Sequence, residues 1–535
     1  MENKDLIIDE NLIKKVKEDI REVYLMNELP WVIGYSGGKD STCTTQIIIE
    51  TIQDMKKEGY ELNKPIYIIS ADTLVENPMI VSTIHDAINN INNLASKDKL
   101  PLSAHIIRPD YNNSFWANLI GRGYPCPNQT FRWCTDRMKI NPANKFITSI
   151  VDKYGEAVMI LGVRDGESNS RDRVLEKHTI EGRKLMRHTT MANAYVFAPI
   201  RSFTIDDVWS YLLSNESPWG QDNSHLYKLY LESSEDDYEM IFDEEQKRKQ
   251  IGGNSRFGCW ICTVVSKDKS LTAFIDKGEE WLIPLRDFRD WLYSIRDDES
   301  RRMRRRMDGS IYFSKINKVS ETKLSIAAKG NRKKIIITLE NGKWVDNEGI
   351  EWIVFEGVDA EMKAKTYIAN NNVDLSDGSN PHIIIKRIDD EYAQLGPGPF
   401  TSKAREEMLR KLLELQNVIG DRYKLYKDEE LLEIRKLWFK QGIWEDIVSK
   451  IYYEVNNREL NLISDDIILF NEKDLNILKE LCEEEKLNVS IMQDIFNVEK
   501  KYMGYNNRQE VNKTLRKLLS QEFIHIENQG DNNEN

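Results

Sequence analysis

The sequence predicts an α/β protein: a doubly wound, mostly parallel sheet, followed by a C-terminal β-containing segment and a helical region. Three observations carry this. Short β-branched runs alternate with amphipathic helical stretches from residue 30 to near residue 300, the pattern of parallel strands joined by crossover helices. The first run, Trp31 to Ile33, breaks at once into the glycine turn of WVIGYSGGKDS and then into a helix. From about 310 the pattern changes to closely spaced β runs (KLSIAAKG, KKIIITLENGKWV, EWIVFEGV, HIIIKRI) with an Asn341-Gly342 hairpin signal, and after GPGPF at 396–400 to helix.

Taken in order, residues 9–28 form a charged amphipathic helix expected to pack against the sheet edge. Trp31 to Ile33 is the first strand, and helical spacing resumes from Ser41. Pro65 to Ser70 is the second strand; it runs into Ala71-Asp72-Thr73, where a strand's carboxyl end meets the ligand crevice of an α/β sheet, so Asp72 is placed for contact. A helix over 78–97 leads to a third strand, Ser103 to Ile107, and a helix over 141–154 to a fourth, Ala157 to Leu161. Tyr195 to Ala198 reads as the fifth strand, and Thr204 caps the helix TIDDVWSYLL. The chain thus divides into an N-terminal helix (1–29), an α/β domain holding the cysteines (30–310), a small β-rich segment (311–395), a helical region (396–522) and a disordered tail (523–535).

Composition sets bounds on function. With 40% hydrophobic and 30% charged residues the chain is an ordinary soluble globular protein. No apolar run reaches membrane-span length and the start, MENKDLIIDE, is not a signal peptide, so a cytoplasmic protein without a membrane partner is expected. A formal charge of −13 argues against coating DNA by overall charge, though not against a local basic groove. Six cysteines are too few for a disulfide scaffold, which leaves metal binding or catalysis for any cluster of them.

Chemistry concentrates at three places. In SGGKDS, unpartnered helix N–H groups favour an anion; Gly37 and Gly38 let the backbone wrap it, Lys39 adds a point charge, and Ser36, Asp40 and Ser41 complete the loop. An ordinary glycine-rich turn is the bland reading, but six specified residues between strand and helix are a far stronger signal. Asp40 after Lys39 displaces the residue that holds magnesium in the common P-loop. The second place is the cysteine set Cys126, Cys134, Cys259 and Cys262. The C-x-x-C pair alone is compatible with zinc, an iron–sulfur cluster, a redox dithiol or buried thiols. Cys43 and Cys482 read as packing residues. The third place is LGVRDGESNSRDR, whose Arg164, Arg171 and Arg173 with Glu167 and Ser168 make a cationic fork suited to phosphate, or else a charged surface loop. Arg132, Arg137 and Lys139 flank Cys134 and either guide a nucleic-acid backbone or sit in salt bridges. RRMRRRM at 301–307 is either a phosphate-binding stripe or a solvated helix end balanced by DDES.

SGGKDS resembles the PP-loop of the ATP pyrophosphatases, which cleave ATP between its α and β phosphates, and this implies the adenine nucleotide alpha hydrolase-like form of the fold. With SADTLVENP, FWANLIGRGYP, FRWCTDRMK, LGVRDGES, GNSRFGCWICTVVSKDKS, GEEW and RDWL, the chain resembles the DndC family, the sulfur-transfer component of bacterial DNA phosphorothioate modification, in the PAPS-reductase branch. The likeness is close over about 10–310 and extends through GPGPF. It implies ATP with Mg2+, a [4Fe–4S] cluster, a DNA substrate, a cysteine desulfurase as sulfur donor and other DNA phosphorothioation proteins as partners. By position it assigns catalysis to Lys39, Asp40 and Arg164. Nucleotide contacts fall to Ser36, Gly37, Gly38, Lys39, Asp40, Ser41, Asp72, Gly162, Arg164, Ser168 and Arg171, and cluster ligation to Cys134, Cys259 and Cys262. Cys126 is the fourth candidate ligand; without it, the fourth iron is left open to sulfide or a partner's sulfur. Rival readings are a tRNA thiolase, for which no RNA-binding module is identified, and a PAPS reductase or ATP sulfurylase subunit. The reductase's C-terminal Glu-Cys-Gly-x-x-His motif is absent, since Cys482 lies in LKELCEEEKL. A noncatalytic ATP-binding assembly subunit is the alternative from another class.

Overall fold

Strand order reverses between the first and fourth strands of a six-stranded sheet, and that reversal positions everything that follows. In a computed structural model of the chain, residues 9–166, 184–188, 191–232, 258–326, 335–371, 373–376, 378, 382–388, 390–443, 445–460 and 511–519 are described, with isolated positions between 477 and 498. Glu167, Ser168, Arg171, Arg173 and Cys482 lie outside the described residues. Two compact units form, one from residues up to Phe115 with Pro127–Arg289, the other from Trp116–Cys126 with Asp290 onward.

The first unit runs α1 (Glu10–Leu25), β1 (Trp31–Gly34), α2 (Lys39–Lys57), β2 (Ile66–Ala71), α3 (Pro78–Lys97), β3 (Leu102–Ile107), α4 (Asn141–Tyr154), β4 (Ala157–Ile160), β5 (Met186–Arg187), β6 (Ala194–Phe197), α5 (Ile205–Ser214), α6 (Asn223–Glu232) and α7 (Lys269–Asp276), with α8 (Ile283–Ile295) carrying Arg289. The sheet order is β3-β2-β1-β4-β6-β5. All neighbours pair in parallel except the β5 edge, whose two residues are too short to give a sequence pattern. This is the doubly wound sheet the sequence predicts. The α4 side chains Ile147 and Ile150 close a core over Val32, Ile69 and Ala157. Thr204 caps α5 through a reciprocal box with Asp207, as expected of TIDD.

Helix α1 departs from its expected place. Capped by Asp9, it buries Val16, Ile20, Val23 and Tyr24. It packs on α2, where Lys17 pairs with Glu50 at 3.1 Å and Asp54 at 3.2 Å. Tyr24 meets Trp31 edge-on, ring centroids 5.3 Å apart. Its apolar stripe therefore covers the base of β1, a central strand, rather than the sheet edge. Beside these two rings Lys64 is buried, its ammonium 4.7 Å from the Tyr24 centroid and donating to the Tyr24 carbonyl; burial pulls its pKa down to about 8.

In the second unit, β7 (Phe313–Ser320), β8 (Lys323–Ile326), β9 (Ile335–Glu340), β10 (Lys343–Asp346), β11 (Glu351–Glu356), α9 (Ala360–Asn370), β12 (Ile383–Lys386) and β13 (Tyr392–Leu395) build a closed barrel. Asn341 (φ +49°) and Gly342 (φ +80°) form the predicted tight turn between β9 and β10. The one parallel pair, β11 with β12, needs a crossover, and α9 supplies it. Trp344, Trp352, Ile337, Ile384 and Tyr392 help fill the interior. Helices α10 (Ser402–Ile419), α11 (Asp428–Lys440) and α12 (Ile447–Asn456) follow. Fully buried Arg405 donates to the Gly121 carbonyl at 2.9 Å and Trp438 to the Ile120 carbonyl at 2.9 Å, seating the 116–126 segment among these helices.

The arginine run at 301–307 is neither a phosphate stripe nor a solvated helix end. Arg302, Arg304 and Arg305 are buried. Arg302 donates to the Gly398 carbonyl at 2.6 Å and lies over the Phe400 ring, while Arg304 donates to the Gly378 carbonyl and pairs with Glu299 at 2.8 Å. Backbone bonds between Met303 and both Gly398 and Pro399 tie the run to GPGPF. Planar guanidinium groups suit this work because each can saturate several carbonyls at once.

Candidate active site

The loop between β1 and α2 sits at the carboxyl end of β1, next to the point where strand order reverses, where open α/β sheets bind ligands. Gly37 takes φ +70°, and a Cβ there would lie 2.7 Å from Ile84, so the turn requires glycine on both counts. Gly38 is the N-cap of α2, and the helix begins at Lys39, two residues earlier than its apolar spacing indicated. The Ser41 hydroxyl donates to the Gly38 carbonyl at 2.9 Å and accepts the Ser36 N–H at 3.2 Å, which locks the loop without using the helix N-terminus itself.

Asp40 holds the charge of the loop in place. Its carboxylate accepts from Arg164 Nε at 2.5 Å and lies 3.3 Å from the Lys39 ammonium. Lys39 and Arg164 are each only 6% exposed, so both cations are held in a low-dielectric setting where they act strongly on any phosphate that enters. Arg164 comes from the loop after β4. That loop approaches α2 so closely that a Cβ on Gly162 would lie 2.7 Å from the Asp40 carbonyl. The structure thus brings Ser36, Gly37, Gly38, Lys39, Asp40, Ser41, Gly162 and Arg164 together. Asp72 follows β2 but is engaged by Arg108 at 2.8 Å and by the Leu74 N–H at 2.9 Å.

A cleft of about 560 Å³ opens above this loop, lined by Gly38, Lys39, Ser41 and Gly162 at one part and by Glu76, Lys139 and Gly258 at another. Apolar side chains Ile69, Ile80, Ile84 and Ile107 line it as well, giving it surfaces for a base and for phosphates. Glu76 is the link to the thiols: it makes an antiparallel bridge with Cys259, and Trp260 N–H donates to the Val75 carbonyl at 3.1 Å. Glu76 also pairs with Lys139 at 3.2 Å. Of the cations flanking Cys134, Lys139 is therefore in an ion pair, Arg137 donates to the Asn113 side chain at 2.8 Å, and Arg132 is exposed.

Cys262 lies close enough to both Cys134 and Cys259 to act on each of them. Burial raises the Cys134 thiol and the nearby Cys262 raises it further. Burial also pushes Cys259 up, reinforced by Glu76 and relieved by Lys139. Burial works against the Lys139 ammonium, but Cys259, Glu76 and Cys134 outweigh it and hold its pKa above the ordinary lysine value. Among the described residues no three His, Cys, Asp or Glu side chains converge as ligands of a single ion. Cys126 belongs to the other compact unit; its thiol is fully buried, faces the Leu292 carbonyl at 3.8 Å and is pushed up to about 12 by burial. Those are the surroundings of a packed thiol.

Three further residues were not marked by the sequence reading. Fully buried Arg289 donates to the carbonyls of Cys262 at 2.9 Å, Ser266 at 2.8 Å and Val265, and so shapes the loop after the C-x-x-C pair. Glu76 joins cleft to thiols through backbone pairing no local pattern reveals. Tyr230 of α6 reaches the glycine loop from far along the chain, its hydroxyl 3.3 Å from the Lys39 backbone nitrogen.

Residues 30–265 match the phosphoadenosine phosphosulfate reductase domain family. A relative from Methanocaldococcus jannaschii, an uncharacterised protein, is 24% identical over 273 residues, 50% of this chain and 44% of the relative, so the match spans less than half of the relative's length. Among solved structures, phosphoadenylyl-sulfate reductase from Candida auris matches at 12% identity and TM-score 0.25, covering 41% of this chain and 90% of that one. The U34-tRNA thiolase NcsA from Methanococcus maripaludis, solved with its [4Fe-4S] cluster, matches at 12% identity and TM-score 0.26, covering 53% of this chain and 79% of that one. Among the described residues no helix is long and apolar enough to cross a membrane.

Proposed function

We propose that this chain, which carries a domain of the phosphoadenosine phosphosulfate reductase type over residues 30–265, is an ATP-dependent sulfurtransferase that replaces a nonbridging oxygen of a DNA phosphodiester with sulfur. The observation that carries this reading is the shared cleft: the phosphate-binding loop and the residues flanking three thiols line one cavity. The choice of DNA rests on the sequence resemblance.

In this reading the β and γ phosphates of MgATP lie on the loop, against the α2 N-terminus and Lys39. A nonbridging phosphodiester oxygen attacks the α-phosphorus; the new P–O bond forms as the bond to pyrophosphate breaks. Lys39 stabilises the charge that collects on the leaving pyrophosphate, and Asp40 keeps Lys39 and Arg164 aimed at it, so no reorganisation is needed at the moment of transfer. A phosphodiester is already ionised at neutral pH, and the step needs no general base. A cysteine desulfurase hands over persulfide-level sulfur, a two-electron thiol reductant brings it to the hydrosulfide level, and that nucleophile then attacks the activated phosphorus and expels AMP. Cys134, Cys259 and Cys262 would hold a [4Fe–4S] cluster, which when bound supplies a soft site for that sulfur. Lys139, paired with Glu76 between cleft and thiols, offsets negative charge there.

The test is ATP turnover with DNA, read as AMP and pyrophosphate. No AMP with any nucleic acid overturns the enzyme reading in favour of an assembly subunit. AMP formation driven equally by RNA moves the substrate from DNA to RNA.

A further inference from the structure

Tyr230 occupies the place where a phosphate-binding loop should present an open donor. The Lys39 N–H, at the start of α2, donates to the Tyr230 hydroxyl at 3.3 Å. A Cβ placed on Gly38 would lie 3.2 Å from the same oxygen, so the hydroxyl sits directly over the loop backbone. The Lys39 ammonium in turn lies 5.2 Å from the Tyr230 ring centroid. Tyr230 is buried, its ring edge-on to Trp209 with centroids 5.2 Å apart, so its position is set by packing and not by the loop alone. A neutral phenol oxygen thus accepts the hydrogen bond that a helix N-terminus reserves for an anion.

We infer that Tyr230 is a nucleotide-contacting residue: its hydroxyl lies over the loop backbone where a phosphate oxygen binds, and it donates its O–H to that phosphate while the Lys39 N–H turns to the phosphate oxygen. A hydroxyl can make this exchange because it both donates and accepts, whereas a carboxylate there would repel the phosphate. The ring face keeps the Lys39 ammonium near the loop until a phosphate replaces it as the stronger partner. This rests on the proposed reading of the loop as the seat of the β and γ phosphates.

The test is titration calorimetry of the full chain and its Tyr230→Phe variant with ATP, pyrophosphate and AMP, with Tyr227→Phe, which faces the same Trp209, as a packing control. Loss of a hydrogen bond to a charged group weakens binding of ATP and pyrophosphate about tenfold or more in Tyr230→Phe. AMP, which lacks the β and γ phosphates, binds as to the parent, and Tyr227→Phe changes none of the three. ATP and pyrophosphate bound by Tyr230→Phe as tightly as by the parent, or more tightly, overturn the inference, since the hydroxyl would then be a mere filler. An equal loss for AMP overturns it as well, by assigning Tyr230 to general packing. If the parent binds neither ATP nor pyrophosphate, the reading of the loop itself fails and takes this inference with it.

Discussion

Arg164 and Asp40 meet at 2.5 Å, joining the loop after β4 to the first turn of the helix after β1, while the other Asp40 oxygen lies 3.3 Å from Lys39. One carboxylate thus sets the position of both cations expected to meet the phosphates. Asp40→Asn removes that charge and leaves two buried cations in repulsion, at a cost of about 3 kcal/mol in stability. AMP production should fall at least about a hundredfold, by the size typical of lost electrostatic assistance. Urea unfolding and turnover measured on the same preparation check both halves.

Lys39→Ala should separate folding from chemistry. The variant leaves Asp40 still paired with Arg164 at 2.5 Å, so no buried charge is left uncompensated and its unfolding midpoint should stay near that of the parent. ATP turnover should drop to background. A variant as active as the parent would remove the loop from the site.

Anaerobic purification with iron and acid-labile sulfide analysis tests the thiols. Cys134→Ser, Cys259→Ser and Cys262→Ser should each lose most of the iron. Cys126→Ser should keep it, because its thiol is packed against the Leu292 carbonyl. Zinc without iron in the parent overturns the cluster proposal.

Arg289→Lys should damage the same centre from behind. A lysine cannot reach three carbonyls in the fork that holds the loop from Cys262 to Ser266. Iron content after purification should be reduced, and the electronic spectrum of the bound iron altered, while ATP binding by the loop after β1 persists.

Lys64 gives a pH signature. Its folded pKa of about 8 lies below the ordinary 10.5, so between those values the unfolded chain holds a proton the folded chain has released. Stability therefore rises with pH across that window, by on the order of 3 kcal/mol from this residue. Urea melts from pH 7.5 to 10 should show the rise in the parent and its loss in Lys64→Met.

Legibility in the sequence followed the range of the interactions. Strands β1 to β4, β6 and most helices were visible because their side-chain period is local; β5, two residues at an edge, has no period to show. WVIGYSGGKDS revealed its loop because the glycines, the Ser41 lock and the Lys39–Asp40 pair all lie within the string, whereas Tyr230, which reaches it from α6, was not visible. Arg289 and Glu76 were not visible, since what matters about them is which distant backbone they touch. The arginine run misled for a related reason: its density reads as surface charge until burial against GPGPF is known.

Among the described residues, eight lysine and arginine side chains are buried, Arg302, Arg304 and Arg305 among them, against only two carboxylates, Asp72 and Glu430. The charge exposed on the described residues is therefore weighted toward the acidic side, and at a distance the chain presents its formal net charge of −13. A polyanion approaching from a distance meets repulsion and gains little from counterion release, so heparin should retain the protein poorly even at low ionic strength. On the proposed reading, a DNA substrate would therefore be recruited by contacts confined to a small area rather than by long-range attraction.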